Sequence, residues 1–151
     1  ILIINFFHLF NKISAKESAY TTFDKADLET IFSSGIITFG ATPIKDPSDT
    51  GISYAIRDNL RKNILAGIDV STGNIAACVV IGDKKSLDNI PQASLEHGFE
   101  QLSRMMGNNS TVHRGIYAGA KEGLAVYRAL GGLKSPENLF DYFFKVDRVY
   151  K

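Results

Sequence analysis

One cysteine, Cys78, leaves the chain without any intramolecular disulfide, which points to a reducing compartment, the cytosol. Tryptophan is absent, methionine occurs twice, and only four prolines interrupt 151 residues. Charge of one sign is also lacking: 17 Lys and Arg face 16 Asp and Glu, a net charge of +1. No long-range field draws the chain to nucleic acid or to an anionic membrane, and the basic residues are scattered rather than clustered. Apolar runs are short. The most apolar stretch, Ile1 to Phe10, is interrupted by Asn5 and His8 and falls well below the roughly 20 residues needed to span a bilayer. It resembles the core of a signal peptide but has no basic stretch before it and no small-residue cleavage site after it. A boundary inside a longer protein explains it better. There is no Gly-rich phosphate loop, no metal-ligand spacing among His8, His97 and His113, and no local Ser–His–Asp or Cys–His signature.

What is present suits one ordinary domain: 44% hydrophobic and 22% charged residues. Leu2, Phe6, Leu9, Phe10 and Ile13 recur at helical spacing, and Ile1, Ile3, Ile4 and Phe7 widen the apolar face almost all round. Such a helix expects cover on most sides. Residues Asp24 to Phe32 read as a short helix with Leu28, Ile31 and Phe32 inward. Ile36 to Phe39 reads as a strand, and Gly40 to Gly51 as a loop. Ile52, Ile56, Leu60 and Ile64 mark an amphipathic helix. Ile75 to Ile81 is a continuous apolar run that suits a buried strand, with Cys78 as a small core residue. After the polar stretch Gly82 to Asn89, Leu95, Phe99, Leu102 and Met106 mark another helix, ended by Gly107. Val112 to Ala118 and Leu124 to Leu130 alternate, and the residues between them suggest an antiparallel hairpin. Gly131 and Gly132 read as turn residues beyond the last strand. The implied fold is an α/β two-layer sandwich: a four-stranded mixed sheet with packed helices, preceded by the apolar helix that opens the chain. The last segment, from Lys134 to Lys151, reads as a final helix beginning at Ser135 or as a tail that docks on a partner.

One constellation carries chemistry. In Thr22-Phe23-Asp24-Lys25-Ala26-Asp27-Leu28, two carboxylates three residues apart open a helix. On spacing alone, Asp24 is a helix cap and Asp27 a partner of the N-terminal dipole.

The ordered set of segments resembles the C-terminal domain of the tubulin/FtsZ superfamily. The apolar helix ILIINFFHLFNKIS is followed by AYTTFDKADLETIF, where Asp24 and Asp27 fall on the two acidic positions of the family pattern Asn-x-Asp-x-x-Asp; Thr22 stands where that pattern has Asn. SSGIITFGAT, ISYAIRDNLRKNIL, NIAACVVIGDKKSLDNI, ASLEHGFEQLSRMMGNN, STVHRGIYAG and GLAVYRALGGL then follow in family order. The resemblance implies that residues 1–20 end a central helix from a GTP-binding half upstream of Ile1, that 21–133 form the C-terminal domain, and that 134–151 form a helix or tail able to contact peptide-like partners. It implies head-to-tail self-assembly into cytoplasmic filaments. It implies that Asp24 and Asp27, with Thr22, act on GTP held by the neighbouring subunit, positioning the attacking water with Mg2+ as a candidate cation. Neither nucleic-acid binding nor membrane insertion is implied. The exchange of an amide for a hydroxyl at Thr22 alters the hydrogen bonds available to that water. Cell division, shape control and DNA segregation all stay open as processes. Two other readings remain: a filament module with no catalytic role, and an unrelated small-ligand domain of similar shape. Residues 1–151 alone are expected to bind no GTP, because the family's Gly-rich nucleotide loop is absent. Equilibrium dialysis with labelled nucleotide checks this, and tight binding would contradict it.

Overall fold

The computed structural model describes residues 25–62, 68–107, 109–119 and 123–135. The expected first helix, Thr22, Asp24, Ile64 and the segment from residue 136 onward lie outside the described residues. The elements run α1 (Lys25–Phe32), β1 (Ile36–Ile44), α2 (Asp49–Lys62), a 3-10 turn (Val70–Thr72), β2 (Ile75–Gly82), α3 (Lys84–Asp88), α4 (Gln92–Met106), β3 (Thr111–Ala118) and β4 (Leu124–Leu133). The four strands form one mixed sheet, as the patterning implies, and their order is β1-β4-β2-β3.

β2 dictates the layering. Ile75 through Val80 are all buried, so the strand needs cover on both faces. On one face Ala76, Cys78 and Val80 meet Ile52, Ile56 and Leu60 of α2 and Leu95, Phe99, Leu102 and Met106 of α4. On the other, Ile75, Ala77 and Val79 cluster with Ile31 of α1, Tyr117 and Ala129. The two helices of the first face meet at Gly98, where an added Cβ would come within 2.6 Å of Ile56 Cδ1. Burial pushes the Cys78 thiol up to about 12, which makes it an inert core group.

The expected β3–β4 hairpin does not form. β3 pairs with β2 in parallel, β4 pairs with β2 antiparallel, and the two sit on opposite sides of it. Alternation shows which face a residue takes but not which strand lies beside it. The chain crosses the end of β2 instead: Ala118 and Leu124 both stand opposite Gly82. Asp83 secures that crossing. Its carboxylate accepts from the Ser86 amide at 2.9 Å, from the Ser86 hydroxyl and from the Gly123 amide at 2.9 Å.

Two more boundaries differ from expectation. β1 runs on to Ile44, with Gly40 opposite Arg128 and Pro43 opposite Ala125. Proline is tolerated there because β1 is an edge strand. Gly131 and Gly132 lie inside β4, where the β1 register shifts between Ile36 and Thr38. Gly132 takes a φ of +69°, and a Cβ on Gly131 would stand 3.2 Å from the Ile31 carbonyl oxygen. Gly131 therefore lets the end of α1 approach the strand, whereas a Cβ on Gly132 would overlap the Asn74 side chain.

Among the described residues Arg128 is the largest fully buried side chain, 1% exposed. Its Nη2 and Nε donate to the Asn59 carbonyl oxygen at 3.0 and 3.3 Å, and its Nη1 to Thr38 Oγ1 at 3.1 Å. Asn59 Nδ2 in turn donates to the Val126 carbonyl at 3.1 Å. Gly40 leaves room for this cluster, since a Cβ there would overlap Asn59 Oδ1. The cation sits at the last turn of α2, where the helix dipole is negative. Burial lowers its pKa to about 10, so it stays charged at neutral pH.

Two outcomes are expected. Arg128→Ala leaves a cavity and a carbonyl without its donors, and should cost about 3 kcal/mol in a urea unfolding curve. The bonds from Ser86 and Gly123 hold the Asp83 carboxyl down to about 2, below its ordinary 3.8. Its contribution is therefore complete above the ordinary value and disappears as pH falls from there through about 2. Asp83→Ala should lower the thermal midpoint at neutral pH, and the gap from wild type should close across that acid window in circular-dichroism melts.

Candidate functional site

Of the three residues expected to carry chemistry, Asp27 lies within the described residues, in the first turn of α1. Ile31, four residues on, is fully buried against the sheet, and Leu28 packs beside the same cluster. Residues four apart share a helix face, so the anchoring of Ile31 turns Asp27 toward the sheet as well. There its Oδ1 lies 3.0 Å from Nδ1 of His113, with side chains 24% and 23% exposed. An ionised carboxylate only accepts, so the ring nitrogen facing it carries a proton.

His113 belongs to β3, opposite Ala77 of β2. It shares the α1 face of the sheet with Tyr117, whereas Arg114 points to the other face. Arg114 Nη1 reaches Glu96 of α4 at 2.6 Å, and its guanidinium lies 6.0 Å from the Phe99 ring centre. β3, an edge strand, is thus tied to a helix on each side through adjacent residues. The sequence alone offers no sign of the Asp27–His113 pair. The residues are far apart along the chain, and a histidine without metal-ligand spacing reads as structural. The only local signal is the strand alternation, which sends His113 and Arg114 to opposite faces.

The other histidine among the described residues, His97, lies 3.3 Å from Asp49 Oδ2 and 3.2 Å from Gln101 Nε2, on the exposed side of α4. It belongs to a surface link between α4 and the start of α2. No group of three or more His, Cys, Asp or Glu among the described residues is arranged to hold a metal. The Mg2+ expectation therefore rests on Asp27 together with residues outside the described set. No helix among them is long and apolar enough to cross a membrane.

No family model and no curated protein sequence matches the chain. Solved structures do. TubZ of Bacillus thuringiensis serovar israelensis, determined as a GTPγS-form protofilament, superposes with a TM-score of 0.74 at 15% identity over 98% of this chain. The fold is that of the C-terminal part of tubulin/FtsZ-superfamily proteins. An empty FtsZ dimer from M. jannaschii matches with a TM-score of 0.61 at 16% identity over 81% of the chain. CetZ2 from Haloferax volcanii, solved as a GTPγS-bound protofilament, matches with a TM-score of 0.60 at 20% identity over 87%. The chain spans 38%, 37% and 41% of those three proteins, well under half of each.

Proposed function

We propose that the chain is the C-terminal assembly domain of a filament-forming GTPase of the tubulin/FtsZ type. In this reading residues 1–20 join it to a nucleotide-binding half, residues 21–133 make the domain, and residues 134–151 make a helix or tail available to partners. The subunits stack head to tail in the cytoplasm. The segment from Thr22 to Asp27 then faces GTP held by the next subunit.

The observation that carries the proposal is the fold likeness over nearly the whole chain, to proteins whose own structures were determined as protofilaments. Asp27 supports the chemical half of it. It stands in the first turn of the helix entering the sheet, partly exposed and braced from behind. Phosphoryl transfer to water needs an in-line nucleophile and charge compensation more than covalent help. A carboxylate oxygen at the interface accepts a hydrogen bond from the attacking water and aims it at the γ-phosphorus. The bond to the leaving GDP oxygen breaks and inorganic phosphate departs. Mg2+ would be served by the same hard carboxylate oxygens. Dividing the site between subunits makes hydrolysis depend on assembly.

A second reading is favoured by one contact. Because Asp27 is engaged by His113, the acidic residues could serve only to cap α1 and fasten it to the sheet. GTP turnover separates the two, measured across protein concentration in the protein that joins this domain to its nucleotide-binding half. Specific activity should rise with concentration. Asp24→Ala and Asp27→Ala should each reduce turnover by roughly a hundredfold or more while GTP still binds. Turnover flat with concentration and indifferent to both changes would leave only the structural reading.

A further inference from the structure

We propose that His113 is the positioning residue for Asp27: it fixes the carboxylate's orientation at the subunit interface, so turnover depends on a side chain from the far edge of the sheet. The inference rests on the filament-GTPase reading above.

The geometry supplies the reasons. α1 has eight residues, and Ile31, one turn beyond Asp27, is fully buried. The helix lies close to β4 because Gly131 presents no Cβ to the Ile31 carbonyl. This anchors the C-terminal half of the helix, whereas Asp27 is at the opposite end. Within its first turn, Leu28 packs against the sheet cluster and Asp27 Oδ1 lies 3.0 Å from His113 Nδ1. The ring stands on a strand paired in register with β2 from Thr111 to Ala118. The next residue, Arg114, is bound to Glu96 on the other face. The imidazole thus has a rigid platform, and both partners are about three-quarters removed from solvent.

One N–H on Oδ1 sets the plane of the carboxylate. It does not exhaust the acceptor capacity of the group, whose two oxygens offer about four lone-pair sites. A fixed acceptor matters because misplacing a reacting group by about 1 Å can cost on the order of a hundredfold in rate. In this role His113 acts through Asp27.

The test compares His113→Leu, which keeps much of the bulk but has no donor, with His113→Asn, whose amide N–H stands near the place of Nδ1. Both are made in the protein carrying its nucleotide-binding half, beside Asp27→Ala and the Asp27→Ala/His113→Leu double variant. The readouts are kcat at saturating GTP, GTP affinity, filament sedimentation and thermal midpoint. His113→Leu should lower kcat roughly ten- to a hundredfold with GTP affinity and sedimentation retained. His113→Asn should recover most of the loss, and the double variant should be no slower than Asp27→Ala alone. Equal rates for the Leu and Asn variants would overturn the positioning role, as would a double variant much slower than Asp27→Ala. If Asp27→Ala is slow and His113→Leu is not, the positioning role falls and the GTPase reading stands. If Asp27→Ala turns over GTP like wild type, the positioning role falls, and the GTPase reading falls with it when Asp24→Ala is equally active and turnover is flat with concentration.

Discussion

The demand that β2 be covered on both faces organises the rest of the molecule. Its residues from Ile75 to Val80 are buried whichever way they point, so a helical layer on one side alone is not enough. α2 and α4 supply one layer, meeting tightly at Gly98. α1 contributes to the other through Ile31 and Leu28. That second placement has a chemical result: it carries Asp27, in the first turn of α1, to the face of β3 where His113 stands.

A buried cation completes the first layer. Arg128 projects from β4 into the space beneath α2 and spends its donors on a backbone carbonyl and a threonine hydroxyl rather than on a carboxylate. Removing a guanidinium from water is costly unless its N–H groups are satisfied. The negative end of α2 lowers that cost. Asn59 and Thr38 give the pair specificity, and Gly40 gives it space. One polar cluster therefore sets the register of a helix against two strands, a task that apolar contacts, being non-directional, perform less uniquely.

Likeness to TubZ, FtsZ and CetZ2 extends over most of the chain at 14–20% identity. At that distance, what the likeness carries is the fold. Functional detail has to be argued from particular side chains. Asp27 is the one described member of the acidic turn, and its tie to His113 bears on both proposed readings: a brace for a helix, and a support for a carboxylate that must point one way.

Much was legible from residue order alone. The α/β class, the helix faces at Ile52, Ile56 and Leu60 and at Leu95, Phe99 and Leu102, the burial of Cys78 and the strand at Ile75 all follow from local periodicity, because burial is a repeating demand along a helix or strand. The short helix that carries Asp27 was legible for the same reason. Pairing was not. Whether β4 lies beside β3 or across β2, whether Gly131 ends a strand or lets α1 settle onto it, and whether His113 stands alone or meets Asp27 all depend on contacts between residues far apart in sequence. Alternation and composition carry no record of such partners, so only the tertiary structure decided them.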